Sequence, residues 1–136
     1  MSEAYAGGCA CGAIGYEISG EPVMNHCQCR DCQRKSGTGH GSYLTFPRAG
    51  VQHTGAAKHW DIVADSGNVK TRAFCPDCGS PVYMTFSAMP DIFTVHAASL
   101  DDPSRYKPQA VSYTMCGYAW DKIDPNLAIF EKMPPG

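Results

Sequence analysis

Seven of the eight cysteines fall in three tight groups, Cys9-x-Cys11, Cys27-x-Cys29-x-x-Cys32 and Cys75-x-x-Cys78, and no other feature constrains the fold as strongly. Tight groups match the spacing of metal ligands, and a soft divalent ion prefers thiolate donors. The chain begins M-S-E-A-Y-A-G-G, with no basic region and no apolar stretch. A cytoplasmic location is therefore expected, and disulfides do not persist there. The reading is metal, not a disulfide framework.

Seven ligands divide as four plus three. Cys9 and Cys11 are far in sequence from Cys75 and Cys78, so joining the pairs closes a long loop. Four thiolates fill every corner of a zinc ion, which is the structural arrangement. The triad differs. Residues two apart on an extended strand point the same way, so Cys27 and Cys29 converge, and Cys32 can join them as the chain turns into a helix. Three protein ligands with a fourth corner open is how a catalytic zinc is built. Zinc on three thiolates carries a net charge of about −1, which favours a soft incoming thiolate over activated water. Two zinc ions per chain are expected, the second more labile. Arg30, Arg34 and Lys35 follow within the same stretch. They either offset that charge, hold a substrate carboxylate, or form a solvated helix face.

Around these groups the sequence reads as short strands. Ile14, Tyr16 and Ile18 alternate, predicting a half-buried strand over 13–19, after a tight turn at Gly7 to Gly12. Further strands are predicted over 23–27, 42–46, 51–54, 59–64, 69–74, 81–86 and 92–97. A two-turn helix is expected over 28–36, with an Asp31–Lys35 pair and Gly37 as its stop. A turn is expected at Asp65-Ser66-Gly67-Asn68, and a loop with one helical turn over 100–104. The fold class is mainly β, and residues 1–136 are expected to form a single domain.

Composition excludes two classes of partner. The sequence contains no apolar run of about 18 residues, so no membrane helix is expected. The formal charge of −2 falls to about −5 once seven thiolates hold two zinc ions, so the field that non-specific nucleic-acid binding needs is missing. A homo-oligomer is compatible with this composition.

Gly8-Cys9-x-Cys11-Gly12, then Cys27-x-Cys29-x-x-Cys32 with Ser36-Gly37, then Phe74-Cys75-x-x-Cys78-Gly79, in this order and spacing, resembles the glutathione-dependent formaldehyde-activating enzyme family. That family is also called the GFA or centromere protein V type domain. The tail, Trp120-x-x-Ile123 with Leu127, Phe130 and Pro134, is similar to the family's C-terminal pattern. The resemblance implies an Mss4-like fold, a zinc-stapled tent of short antiparallel β-strands with a short helix after the cysteine triad. It also implies a structural zinc on Cys9, Cys11, Cys75 and Cys78. A second zinc is implied on Cys27, Cys29 and Cys32, where a small thiol such as glutathione binds. The implied activity is that of a carbon–sulfur lyase, joining glutathione and the small aldehyde formaldehyde to give S-hydroxymethylglutathione.

Four single residues and one run of amides complete the reading. His40, in the glycine-rich loop after the triad, is the best candidate for a proton carrier, beside the commoner reading of a surface or structural histidine. Amides of Gly37 to Gly41 offer a nest for a carboxylate. Cys116 stands alone and is a fourth ligand, a reactive thiol or a buried apolar side chain. Trp60 and Trp120 wall a pocket or fill the core. The rival to a lyase is a non-catalytic zinc module on the same fold. A methionine sulfoxide reductase ranks last, since Cys116 has no evident resolving partner.

Overall fold

The computed structural model describes residues 3–64 and 66–133; Asp65 of the expected turn and Pro134 of the expected tail pattern lie outside the described residues. The chain runs β1 (Tyr5–Gly8), β2 (Gly15–Ile18), β3 (Val23–Cys27), α1 (Arg30–Ser36), β4 (Gly41–Pro47), β5 (Val51–Thr54) and β6 (Lys58–Val63). It continues through β7 (Val69–Phe74), β8 (Pro81–Phe86), β9 (Ile92–His96), β10 (Ala110–Ser112) and β11 (Ala128–Ile129). A small sheet has the order β1-β2-β5, and a larger one the order β11-β10-β3-β4-β9-β8-β7-β6. The mainly β class is as expected, but not every pair is antiparallel. β10 lies parallel to both β3 and β11, because the tail returns to the sheet edge by a long connection and not by a hairpin.

Alternation along the strands gives the large sheet two working faces. Leu44, Phe46, Phe93, Val95, Val82 and Ile18 belong to the main core, which the small sheet covers. Tyr43, one residue before Leu44, belongs instead to a second cluster with Met84, Cys27 and Cys32. Pairing keeps the faces in register: Leu44 lies opposite Val95 on β9, and Tyr83 opposite Val95 on β8. Burying the main core supplies most of the driving force, at about 1.5–3 kcal/mol for each large apolar side chain fully enclosed.

Two elements differ from expectation for local reasons. α1 starts at Arg30, not residue 28, because the Gln28 amide donates to the Ser112 carbonyl at 3.0 Å and so belongs to the sheet. Cys29, extended at ψ 155°, is the N-cap. The expected tight turn at Gly7-Gly8 is strand β1, paired with β2 with Gly7 opposite Tyr16. The tryptophans are not core. Trp60 is 57% exposed and Trp120 63% exposed.

Candidate metal centres

Two knuckles build the first centre. Cys9 to Gly12 follows β1, and Cys75 to Gly79 follows β7. Both turns end on a glycine in the left-handed region, Gly12 at φ 85° and Gly79 at φ 78°, a conformation that side-chain-bearing residues avoid. That reversal lets backbone amides face sulfur. Ile14 N–H donates to Cys9 Sγ at 3.2 Å and Asp77 N–H to Cys75 Sγ at 3.4 Å. The knuckles are tied across by Ala10 N–H donating to Ser80 Oγ at 3.1 Å. All four sulfurs lie within 4.8 Å of one another.

The donor set fits zinc. Tetrahedral coordination at a Zn–S distance of about 2.3 Å requires sulfurs about 3.8 Å apart. Cys9 and Cys11 are separated by 3.7 Å, and Cys11 and Cys75 by 3.6 Å. Hydrogen bonds from Ser80 hold the exposed Cys78 thiol down to about 5, so this ligand is ready to bind as thiolate.

The triad forms the second centre, on the opposite face of the large sheet from the small one. Cys27 ends β3, Cys29 caps α1 and Cys32 sits in its first turn. Their sulfurs also lie within 4.8 Å of one another, and no other His, Cys, Asp or Glu among the described residues joins the group. Cys116 is half-buried and outside it; its carbonyl accepts from Gln33 Nε2 at 3.1 Å. Tyr43, Met84, Phe86 and Tyr113 pack around the triad. Tyr113 holds φ 55°, the one described non-glycine residue in the left-handed region. With only protons to share, the sulfurs divide unequally. Hydrogen bonds from Cys27 and Cys32 lower the Cys29 thiol, while the same sharing with Cys29 and Cys32 raises that of Cys27.

The charges next to the triad are not those the sequence pointed to. Arg30 turns to Gln33 Oε1 at 2.6 Å, and Lys35 lies over the Trp60 ring at 5.5 Å. Arg34 lines a groove with Tyr118 and Trp120. The cation at the triad is Arg72 of β7, whose Nη2 donates to Cys32 Sγ at 3.5 Å. The same nitrogen donates to Asp31 Oδ2 at 2.7 Å, and Nε reaches that oxygen at 2.9 Å. Lys70 completes the group, 2.8 Å from Asp31 Oδ2. Asp31 is therefore tied to β7 and not to Lys35.

His40 falls elsewhere. Its Nδ1 sits 2.9 Å from both carboxylate oxygens of Asp121, and its ring packs edge-on against His26 at 4.4 Å. His26 immediately precedes Cys27 on β3 and shares the parity of Met24, which packs on the main core, so this cluster stands on the other face from the triad sulfurs. Gln28 Nε2 also donates to Asp121, at 3.0 Å. The glycine loop packs against the chain's own Asp121, whose side chain a Cβ on Gly39 would overlap, and Asp121 takes its hydrogen bonds from the His40 and Gln28 side chains. Asp121, in the tail, carried no signal in the sequence.

Two sulfur clusters, one joined to each apolar cluster of the fold, define a mainly β protein with two sites able to hold a metal ion. Residues 4–116 match the family described as glutathione-dependent formaldehyde-activating enzyme, and the chain belongs to that family. No curated protein matches the sequence. The crystal structure of a Rhodobacter sphaeroides protein is similar at a TM-score of 0.58 and 21% identity, covering 74% of this chain and 93% of that one. At that identity the likeness speaks for the fold alone.

Proposed function

We propose that the chain is a zinc-dependent carbon–sulfur lyase acting on a thiol–aldehyde adduct, with glutathione and formaldehyde as the pair its family description names. The observation that carries this reading is the difference between the centres: four clustered sulfurs in one, three in the other. Cys9, Cys11, Cys75 and Cys78 would hold a structural ion, and Cys27, Cys29 and Cys32 the second. A zinc ion on the triad supplies a soft Lewis acid that keeps an incoming thiol ionised at neutral pH.

The chain's own residues do the rest. Tyr43, Met84, Phe86 and Tyr113 give the triad an apolar wall that limits water. Arg72 fixes Cys32 through the bond to its sulfur. The thiol sulfur forms a bond to the aldehyde carbon while the aldehyde oxygen takes a proton; in reverse, that bond breaks and the proton leaves. His40, on the other face with Asp121, fits a strap for the tail better than a proton carrier. We place the chain in a reducing, cytoplasmic setting, where thiols stay available to hold metal ions.

Exchange spectroscopy on glutathione, formaldehyde and S-hydroxymethylglutathione tests the reading. The zinc-loaded protein should accelerate interconversion above the buffer rate, and Cys29→Ser should remove the acceleration. A protein carrying both ions that leaves the rate at the buffer value refutes it.

A further inference from the structure

We propose that Arg72 and Lys70 are the positioning and charge-balancing residues that let the three-cysteine centre accept a fourth, incoming thiolate. The inference rests on the reading of the triad as a thiol-binding centre and adds to it the residues that select a charged sulfur ligand. A divalent ion on three thiolates carries a net charge of about −1, and a further thiolate takes it to about −2. Moving an anion onto an anionic, half-buried centre is unfavourable unless fixed positive charge lies beside it.

The structure puts that charge within bonding distance. Arg72 is 4% exposed, and its Nη2 contacts both Cys32 Sγ and Asp31 Oδ2. Lys70 stands two residues earlier on the same strand face, with its ammonium 2.8 Å from Asp31 Oδ2. Two cations and one carboxylate leave about +1 next to the sulfurs, so the centre as a whole is near neutral with three thiolates and near −1 with four. Asp31 has a second part in this. By taking two guanidinium N–H groups it fixes the plane of Arg72 and aims Nη2 at Cys32. Nη1 of the same guanidinium is the buried side-chain nitrogen or oxygen left without an acceptor among the described residues. A buried donor of this kind marks unused capacity beside the centre.

The test uses full-length protein with cobalt(II) in both centres, titrated with glutathione, with mercaptoethanol and with imidazole, a ligand that adds no charge. The visible absorption of the cobalt reports ligand entry independently of turnover. In the wild type, thiols should change the spectrum with saturation. Arg72→Met should keep two cobalt ions, weaken both thiols by about tenfold and leave imidazole affinity within about twofold. Arg72→Lys should recover part of the thiol affinity, since it keeps the charge and loses the fork. Lys70→Met should weaken thiols in the same direction by about threefold, and it carries the test alone if Arg72→Met does not fold. Thiol affinity unchanged in both Lys70→Met and a folded, cobalt-loaded Arg72→Met overturns the inference while leaving the lyase reading intact. An equal loss for thiols and imidazole also overturns it, since that is the mark of a merely structural role. A wild-type spectrum that no thiol alters overturns the lyase reading itself, and this inference with it.

Discussion

Replacing Cys78 by serine should cost far more stability than replacing Cys29, although both remove one sulfur from a metal centre. Cys78 is exposed, so the substitution leaves no cavity and reports the cross-link alone. Its centre joins Cys11 to Cys75 across 64 positions. Treated as a cross-link, closing a loop of that length removes about 4 kcal/mol of unfolded-state entropy. The triad lies wholly within residues 27–32. The same relation gives about 2 kcal/mol for so short a span. Serine at position 29 also preserves the helix cap that Cys29 provides by accepting from Cys32 N–H at 3.3 Å. The assay is urea unfolding in a zinc buffer set so that four thiolates hold the ion and three do not. Against a total stability of about 5–15 kcal/mol, Cys78→Ser should lower the midpoint by about 2 M at an m-value of about 2 kcal/mol per M. Cys29→Ser should shift it by less than half as much. Adding chelator should bring the wild type down to the Cys78→Ser midpoint. Equal shifts for the two variants would refute the assignment of one structural and one open centre.

Other predictions read different parts of the fold. Trp60→Ala and Trp120→Ala should each leave the unfolding free energy within about 0.5 kcal/mol of the wild type, because both rings are exposed; a loss of core size would show burial the structure lacks. Asp121→Ala removes the acceptor for His40 and Gln28 and should destabilise by about 1–3 kcal/mol, read by urea unfolding, while thiol binding to cobalt-loaded protein stays within about twofold. His40→Gln should behave likewise in the binding assay; a loss beyond tenfold would restore the imidazole to the chemistry. Burial lowers His96 to about 4, so its folded value lies below its unfolded one. The stability it contributes is complete above about 6.5 and is lost as pH falls toward 4, at up to about 1.4 kcal/mol per pH unit. His96→Phe should therefore lose less stability than the wild type between pH 6.5 and 4.5, measured by urea midpoints at each pH. Asp31 moves the same way: burial pushes its carboxyl up, but hydrogen bonds from Lys70 and Arg72 outweigh it and hold it lowered. Asp31→Asn should flatten the acid limb below the ordinary carboxylate range.

Much of this molecule was readable from residue spacing because the signals were local. The buried alternation of Ile14, Tyr16 and Ile18, the terminator Gly37 and the cysteine groups each act within a few positions and come out as expected, although β2 begins only at Gly15 and the first knuckle only after Gly8. What the sequence could not show is pairing between segments far apart. β10 and β11 are three and two residues long and have too little pattern to announce themselves; β10 satisfies the hydrogen-bonding groups at the edge of β3, and β11 those that β10 leaves in turn. Asp121 meets His40 across 81 positions for the same reason.

The charge beside the triad is the most instructive case. Proximity in sequence favoured Arg30, Arg34 and Lys35, because a cation two or three residues from a ligand looks close on paper. Arg30 and Arg34 lie two positions either side of Cys32 and so turn to another face of α1, while Lys35, three positions after it, reaches over Trp60 instead; all three find other neighbours. A strand face has no such rotation. Lys70 and Arg72 alternate onto the same side of β7 as Met84 does on β8, and Arg72 lies opposite Met84 in register. Met84 packs on the triad, so the register of one strand pair is enough to bring a guanidinium from 40 positions away onto Cys32. A slip of one residue in that pairing would turn Arg72 toward the main core and leave the sulfurs facing Ala73. The electrostatics of the second centre therefore depend on sheet register, and a substitution that shifts β7 against β8 should alter thiol binding without touching a ligand.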